Sequence, residues 1–252
     1  MKYQITDTYK SRKDEFVDIV SNFNAYNNFV NDGQRNSIKK VAIEGLLLNI
    51  KAFKVPNFFN QIIYKYFRKS KAQRSYTFGQ KLLQLGVLTP EPIAYFEFSN
   101  GLLFGKSYYL SEQIEYDLTF RELLHDLDYD NHEEILRAFT RFTFMLHENE
   151  VEFLDHSPGN TLIKKVNGDY AFYLVDLNRM VFKPLNFKMR MKNFARLSAS
   201  EPMIKIMSDE YATCYEKKYD EVLKLMTFYS KEFVQKSDRK KRLKKKLKFW
   251  KD

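Results

Sequence analysis

The fold is decided by two neighbouring stretches of sequence, FLDHSPGNTLI at residues 153–163 and FYLVDLNRM at residues 172–180. In the first stretch Asp155 precedes Asn160 by five residues, and in the second Asp176 stands at the end of an apolar run. The segment between them carries the turn signal NGD and predicts a β-hairpin. We therefore expect a loop and a strand end that present two carboxylates and an amide.

The order of these residues matches a pattern with a known chemical use. Phosphoryl transfer from ATP needs a lysine on the phosphates, oxygen ligands for Mg²⁺ and a carboxylate beside the acceptor hydroxyl. Protein kinases carry the last two on a loop of pattern H-R-D-x-x-x-x-N, and D-F-G follows on a short strand. Asp155, Asn160 and Asp176 keep that order, although each alone would also suit a turn or helix cap. Together they favour a kinase-like fold.

A lysine for the phosphates is present in the first half of the chain. Lys51 ends the motif LNIK, in a strand that is predicted to be buried, as in the V-A-I-K pattern. A buried ammonium group is costly without an anionic partner, and the phosphates of ATP are such a partner. Lys54 is the alternative, but strand alternation and Pro56 predict that it lies at the exposed end.

Strand signals fill the first half of the chain. Residues 29–56 read as a β-meander that turns at NDG and EG. Residues 57–86 have apolar side chains at helical spacing, and two more strands, PIAYFEFS and SYYLSEQI, follow.

Helix signals dominate from Thr119 onward. Asn131 and Glu134 are spaced as in a capping box, which predicts the start of a long helix. Its predicted apolar face consists of Ile135, Phe139, Phe142 and Leu146.

These signals predict an α+β, protein-kinase-like, two-lobed fold. We expect a small β-rich N-lobe at residues 1–115, which includes the helical region 57–86. A larger helical C-lobe at residues 116–235 would carry the catalytic loop, and residues 236–252 would form a basic amphipathic tail.

Charge and composition narrow the class of protein. The net charge of +10 is concentrated in residues 236–252, where ten Lys or Arg oppose two Asp, so the rest of the chain carries only about +2 (10 − 8). One cysteine, Cys214, excludes an intramolecular disulfide. Since neither a signal-peptide core nor a run of about 20 apolar residues occurs, we expect a cytoplasmic protein.

The tail has the pattern of a membrane-surface helix. Leu243, Leu247 and Trp250 fall at i, i+4 and i+7 among lysines, which suits an anionic membrane surface. Nucleic acid is the rival partner of a lysine run, and a solvated tail is the third interpretation. The near-neutral body of the protein argues against nucleic acid.

Taken together, the motifs resemble those of the lipopolysaccharide kinases that phosphorylate Kdo or heptose in the inner core, a branch of the protein-kinase-like superfamily. The resemblance rests on the two opening stretches and on GQRNSIKK, NIKAFKVPNFFNQIIYKYFRKSKAQRSY and LLQLGVLTPEPIAYFE, and it runs from about residue 29 to about residue 200. It implies an ATP- and Mg²⁺-dependent phosphotransferase with Kdo–lipid A as acceptor, peripheral on the cytoplasmic face of the inner membrane. The alternatives are a related small-molecule or protein kinase, or a pseudokinase that binds nucleotide or lipopolysaccharide precursors as a scaffold.

The resemblance also implies roles for individual residues. Asp155 would orient and deprotonate the sugar hydroxyl, Asn160 and Asp176 would hold Mg²⁺, and Lys51 would contact the α- and β-phosphates.

The nucleotide would have further contacts in the first half of the chain. The segment around NDGQRNSIK would cover it, with Arg35 as a candidate phosphate contact, although Arg35 also suits an ordinary surface turn. Adenine would lie against LSEQI at residues 110–114 and use backbone groups of Glu112 and Ile114.

The chain departs from the kinase pattern at two positions. Phe153 replaces a histidine that is structural in kinases. Thr77 stands where a glutamate would pair with Lys51, so either Gln80 bonds to this lysine or the lysine is held only by bound ATP. His147 and His156, near the loop, have no partner at metal-ligand spacing and are interpreted as structural or solvent-facing.

Overall fold

A computed structural model describes residues 1–32 and 36–249. The chain divides into two compact units. Unit 1 consists of residues 1–115 and 174–178, and unit 2 consists of residues 116–173 and the chain from residue 179 onward. The short stretch 174–178 of FYLVDLNRM thus belongs to unit 1, although the residues on both sides of it belong to unit 2.

Unit 1 is built on a six-stranded sheet with the order β1-β5-β6-β4-β3-β2 and antiparallel neighbours. The strands of the predicted meander and the two later strands are confirmed, and Gly45, with φ +69°, makes the predicted EG turn between β3 and β4. The predicted turn at NDG includes Gly33, which lies outside the described residues. The strands are β1 (Lys2–Ile5), β2 (Phe29–Asp32), β3 (Asn36–Ile43), β4 (Leu46–Phe53), β5 (Pro92–Asn100) and β6 (Leu103–Glu112).

Helices cover both faces of this sheet. One face, with Leu48 and Ile50, packs against α1 (Lys13–Ser21) through the fully buried Phe16. On the other face Phe53 packs near Ala72 of α3 (Lys71–Gln84). The predicted helical region also contains α2 (Phe58–Tyr66), and the side chains of Asn57 and Ser70 cap the starts of α2 and α3.

Strand alternation in β4 positions the lysine of the sequence motif. Leu48 and Ile50 point to the α1 face, so Lys51 and Phe53 point to the α3 face. Lys51 is also paired in register with Tyr109 of β6. The side chain of Lys51 therefore lies on the face of the sheet that α3 covers. Lys54 is exposed at the strand end, as predicted.

Unit 2 is mainly helical and contains two small sheets. Its helices are α4 (Phe120–His125), α5 (His132–Glu148), α6 (Phe187–Asn193), α7 (Glu201–Cys214) and α8 (Tyr219–Phe249). Its strands are β7 (Leu118–Thr119), β8 (Val151–Phe153), β9 (Thr161–Val166), β10 (Asp169–Leu174, whose last residue lies in unit 1) and β11 (Met180–Phe182). Strands β7, β9 and β10 form one sheet, and β8 pairs with β11.

Local predictions in unit 2 had different outcomes. The β9–β10 hairpin turns at Asn167 and Gly168, with φ of 51° and 86°, as the NGD signal predicted. The four residues of the predicted apolar face of α5 are buried. The capping box at Asn131 was wrong: Asn131 is left-handed, with φ 59°, and makes no side-chain cap, whereas Thr119 and Glu122 form such a box at α4.

The α+β prediction, with a β-rich first part and a helical second part, is confirmed. No helix in the described part of the chain is both long and apolar enough to cross a bilayer.

Candidate active site

Lys51 forms a close ion pair within unit 1. Its Nζ donates to Oδ1 of Asp176 at 2.7 Å, and the lysine side chain is 11% exposed. A charge this well buried needs an anionic partner, and Asp176 supplies it. The structure thus brings together two of the residues that the sequence singled out, 125 positions apart in the chain.

Asp176 is held by its neighbours on both sides. Leu174, two residues before Asp176, is hydrogen-bonded to the segment that precedes β5. Its N–H donates to the carbonyl of Leu88, and its carbonyl accepts from Thr89 Oγ1 at 2.8 Å. The side-chain amide of Asn178 donates to Oδ1 of Asp176. Asp176 itself has φ 59°, a left-handed conformation that non-glycine residues keep where the surroundings over-determine it. The carboxylate is therefore set in one direction by its own backbone and by Asn178.

Gly79 of α3 makes room for the residue that follows Asp176. A Cβ at position 79 would lie 2.6 Å from Cγ of Pro92 and 3.3 Å from Cδ1 of Leu177. Only a glycine lets the helix approach Pro92 and Leu177 this closely without displacement. The packing of α3 against Leu177 thus helps to fix the position of Asp176.

The anionic partner of Lys51 does not come from α3, where the kinase pattern predicts a glutamate. Gln80 was wrong as a partner of Lys51, because its side-chain amide donates to Thr6 Oγ1 and to the carbonyl of Pro92, both at 3.2 Å. Lys51 instead pairs with Asp176. On α3, Ser75 is buried and its Oγ has no hydrogen-bond partner among the described residues.

The segment expected to face adenine is ordered by Gln113. The side chain of Gln113 accepts from Asn49 at 2.7 Å and donates to the carbonyl of Ile114 at 2.8 Å, and its N–H donates to the carbonyl of Leu47. The N–H of Glu112 donates to the carbonyl of Glu91. The backbone at Glu112 and Ile114 is therefore fixed, whereas Arg35 lies outside the described residues.

In unit 2 the loop after β8 presents Asp155 and folds back on itself. The side-chain amide of Asn160 donates through Nδ2 to the backbone carbonyl of Asp155 at 2.8 Å, and the N–H of Ser157 donates to the same oxygen at 2.7 Å. Because Nδ2 of Asn160 is used in this way, its Oδ1 remains as a neutral oxygen ligand. The spacing of five residues thus closes the loop and leaves an oxygen of the type Mg²⁺ prefers.

Two arginines flank the carboxylate of Asp155. Arg196 Nη2 lies 2.5 Å from Oδ1, and Arg179 Nη1 lies 3.3 Å from Oδ2. The side chain of Asp155 is 14% exposed, while those of Arg196 and Arg179 are 37% and 51% exposed. Neither arginine was predicted from the sequence: Arg179 lies in the stretch FYLVDLNRM but was assigned no role, and Arg196 is 41 positions from Asp155 and lies in no motif.

A chain of hydrogen bonds anchors the strand that leads to Asp155. Asn193 donates through Nδ2 to the carbonyl of Phe153 at 2.9 Å, so its Oδ1 accepts from His147 Nε2 at 3.2 Å. His147 Nδ1 then accepts from the hydroxyl of Tyr211 at 2.8 Å. Burial lowers the pKa of His147 to about 4, and the positive charge of Arg190 adds to this. His147 is therefore a neutral, structural histidine.

His156, beside Asp155 in sequence, is fully buried between aromatic rings. Its ring packs against Phe139 and Phe153 at centroid distances of 5.3 and 5.6 Å. Both ring nitrogens are without a hydrogen-bond partner in the part of the chain that the structure describes. Burial lowers the pKa of His156 to about 3. The structural interpretation of both histidines is confirmed, and the solvent-facing alternative was wrong.

Gly159 completes the loop by leaving space for Arg121 of α4. A Cβ on Gly159 would meet Nη2 of Arg121 at 2.6 Å. The guanidinium group therefore lies directly over the loop backbone between Asp155 and Asn160. Its positive charge adds to that of Arg179 and Arg196 within unit 2.

Comparisons with known proteins agree with this arrangement. The sequence model described as "Lipopolysaccharide kinase (Kdo/WaaP) family" matches residues 56–217, more than half of the chain. The solved structure "WaaP in complex with acyl carrier protein" is similar, with a TM-score of 0.63 and 14% sequence identity, over 93% of this chain and 99% of that chain. At this identity the likeness shows the fold, and it confirms the predicted kinase-like architecture. No curated protein sequence gives a significant match.

Proposed function

Because the chain belongs to the lipopolysaccharide kinase (Kdo/WaaP) family, we propose that it transfers the γ-phosphate of ATP to a sugar hydroxyl of the lipopolysaccharide inner core. We propose Kdo of Kdo–lipid A as the acceptor. The observation that carries the proposal is the Lys51–Asp176 ion pair, together with the closed loop from Asp155 to Asn160. These are the groups that phosphoryl transfer requires.

Lys51 and Asp176 serve the nucleotide in this proposal. Lys51 lies in an ion pair with Asp176, and its ammonium group suits the α- and β-phosphates of ATP. The left-handed backbone of Asp176 and the amide of Asn178 hold the carboxylate in one orientation. Such fixed charges stabilise transferred charge without reorganising during the reaction. The backbone of Glu112 and Ile114 would contact adenine.

Mg²⁺ is the metal that fits the available donors. Asn160 and Asp176 would hold it through an amide oxygen and a carboxylate oxygen, the hard ligands that Mg²⁺ prefers. Bound Mg²⁺ would neutralise charge that develops on the phosphate oxygens. The hydrogen bond from Asn160 Nδ2 to the Asp155 carbonyl supports this fit, because it directs Oδ1 away from the loop backbone.

Asp155 is the proposed general base. Its carboxylate takes the proton of the acceptor hydroxyl as the acceptor oxygen bonds to the γ-phosphorus and the bond to ADP breaks. The ion pairs with Arg196 and Arg179 orient this carboxylate. The anchor chain through Asn193 and His147 holds the backbone of the strand before it.

The two arginines favour an acidic acceptor. An acceptor hydroxyl at Asp155 would lie beside the guanidinium groups of Arg196 and Arg179, and arginine forks match carboxylates and phosphates well. Kdo carries a carboxylate, whereas heptose is neutral. This difference supports Kdo as the acceptor.

The acceptor is a membrane lipid, so we also propose a peripheral position on the cytoplasmic face of the inner membrane. Residues 236–252 carry a net charge of +8 and would bind anionic lipid. Helix α8 extends through Phe249, and Leu243 is 61% exposed on it, whereas the side chain of Leu247 and all of Trp250 lie outside the described residues.

A pseudokinase is the second candidate, and one observation favours it. The segment KAQRSYTFGQKLLQ of α3 contains no acidic residue, so Lys51 has no carboxylate from that helix. In this case the Lys51–Asp176 pair would bind nucleotide without turnover.

The deciding experiment measures phosphate transfer to purified Kdo–lipid A by mass spectrometry, with ATP and Mg²⁺. We expect an increase of one phosphate on Kdo with the wild-type protein, and a loss of roughly 100-fold or more with Asp155→Asn or Asp176→Asn. Arg141→Gln, which removes a surface ion pair with Glu210 in unit 2, is the matched control and should react normally. Absence of transfer by the folded wild-type protein to any inner-core acceptor, with nucleotide binding retained, would favour the pseudokinase.

A further inference from the structure

Helix α2 in unit 1 is apolar in composition but is not part of the core. Six of the nine residues in FFNQIIYKY are apolar or aromatic, yet none of the nine is buried. The exposed side chains on α2 and just after it are Phe58 (57%), Phe59 (76%), Ile63 (41%), Tyr66 (55%) and Phe67 (81%). Adjacent exposed aromatic residues of this kind mark an interaction site.

The side of α2 that faces the rest of unit 1 carries the partly buried Gln61, Ile62 and Tyr64, and a second, exposed apolar side faces away. Gln61 donates to the carbonyl of Pro56 at 2.9 Å, and the ring of Tyr64 packs against Phe104 of β6 at 5.8 Å. Phe59, Ile63 and Phe67 follow at i, i+4 and i+8, so they share the opposite side. In a surface helix that only packs against its own domain, an apolar side of this kind would face the core.

The chain segment that contains α2 is basic and lacks acidic residues. Residues 45–90 contain no Asp or Glu and eight Lys or Arg: Lys51, Lys54, Lys65, Arg68, Lys69, Lys71, Arg74 and Lys81. Four of these, Lys54, Lys65, Arg68 and Lys69, are exposed and make no ion pair with any residue that the structure describes. We call these four cations and the five exposed apolar residues the α2 surface.

We propose that the α2 surface docks on an anionic membrane, with its aromatic side chains in the boundary between headgroups and acyl chains. Aromatic rings are favoured at that depth, and lysine and arginine can extend to lipid phosphates while their stems cover apolar surface. Charge complementarity favours an anionic membrane as the partner, since cations flank the apolar residues along the chain and no acidic residue lies among them. A groove of about 320 Å³ beside α2, lined by Phe53, Val55, Phe104 and Lys54 among others, extends the same apolar and basic character.

This proposal goes beyond the phosphotransferase function and beyond the basic tail. It assigns membrane contact to the folded N-terminal unit, through a helix of fixed orientation, and not only to the C-terminal tail. It predicts that removing the apolar residues of the α2 surface weakens membrane binding of the full chain, tail included.

The test is vesicle flotation with the full-length protein. The probes are vesicles of phosphatidylglycerol and phosphatidylcholine, compared with phosphatidylcholine alone. We expect the wild-type protein to prefer the anionic vesicles. The double variant Phe59→Ser/Phe67→Ser should bind them at least roughly tenfold more weakly. Lys65→Glu/Lys69→Glu should lose most of the preference for anionic lipid.

Two controls separate docking from unfolding and from general surface effects. Leu127→Ser, at an apolar position 53% exposed in unit 2, and Lys217→Glu/Lys218→Glu, a pair of exposed lysines there, should bind as the wild type does. All variants should show the wild-type circular dichroism spectrum and melting temperature, because the substituted side chains are exposed.

The outcomes distinguish this proposal from the phosphotransferase function. Phe59→Ser/Phe67→Ser should keep wild-type activity on a water-soluble Kdo acceptor and lose activity on Kdo–lipid A in vesicles. Unchanged vesicle binding by this double variant would overturn the docking proposal, even if an acidic protein were found to bind the surface. Vesicle binding that depends on α2, in a protein without phosphotransferase activity, would support docking and refute only the enzymatic proposal.

Discussion

The guanidinium group of Arg196 lies 2.5 Å from Oδ1 of Asp155, and Arg179 lies 3.3 Å from the other carboxylate oxygen. Arg196 also places its guanidinium carbon 5.6 Å from the ring of Phe233 on α8. The carboxylate that we propose as general base is thus oriented by a side chain that is itself held by a helix far along the chain. Arg179 is more exposed and its contact with Asp155 is longer, so the two arginines are suited to different tasks.

Substitution of the two arginines should affect different kinetic constants. Arg196→Gln removes the orientation of Asp155, so we expect kcat to fall by roughly 10- to 100-fold, with partial rescue in Arg196→Lys. Arg179→Gln should mainly raise KM for Kdo acceptors, because this arginine is exposed enough to bind the sugar carboxylate. Steady-state kinetics with Kdo and with a neutral heptose acceptor measure both effects. Equal effects of the two substitutions on kcat, with no change in KM, would contradict this division.

Removal of the Lys51 ammonium group should abolish productive nucleotide binding without unfolding the protein. In Lys51→Met, Asp176 still accepts from Asn178, and its side chain is 27% exposed, so water can solvate the carboxylate. We expect kcat/KM for ATP to fall roughly 100-fold or more and the rise in melting temperature caused by ATP and Mg²⁺ to disappear. Lys106→Met, at an exposed position of β6, is the control and should keep both. A normal thermal shift in Lys51→Met would show that this lysine is not a nucleotide contact.

Gly79→Ala should destabilise the protein, although alanine normally favours a helix by about 1 kcal/mol. The new Cβ would lie 2.6 Å from Pro92, so α3 or the start of β5 must move, and at 3.3 Å from Leu177 it would also press on the stretch that carries Asp176. We expect a loss of about 1–3 kcal/mol in the free energy of unfolding, together with weaker nucleotide binding. Gln84→Ala, at an exposed position in the same helix, should be neutral or slightly stabilising. Urea unfolding and nucleotide titration measure the two effects, and a stabilised Gly79→Ala would refute this packing argument.

The sequence predicted those parts of the site that depend on residues close to one another in the chain. The five-position spacing from Asp155 to Asn160 closes the loop, and the NGD signal produces the hairpin that returns the chain to Asp176. Strand alternation and Pro56 correctly predicted that Lys51 is buried and that Lys54 is exposed.

Features that depend on tertiary contacts could not be predicted in the same way. Arg196 meets Asp155 only because the turn after α6 returns to the loop, and neither residue has a neighbour in sequence that signals this contact. The partner of Lys51 was sought among nearby residues of α3, whereas Asp176 supplies the charge from 125 positions away. At Asn131 a local pattern was misleading. The spacing of a capping box was present, but the backbone of Asn131 is left-handed and its side chain does not cap the helix.

Stability should fall as the pH decreases below 6.5, because His147 and His156 are buried as neutral rings. Their folded-state pKa values, about 4 and about 3, lie below the ordinary value of 6.5, so the unfolded state binds more protons in this window. The stabilisation is complete above pH 6.5 and is lost progressively toward pH 4. For His156 the expected loss between pH 6.5 and pH 5 is about 1–2 kcal/mol. Urea unfolding across this range should show a shallower pH dependence in His156→Phe, while His125→Gln, which changes an exposed histidine, should follow the wild type. An identical slope in His156→Phe and wild type would mean that this histidine does not contribute to the acid sensitivity.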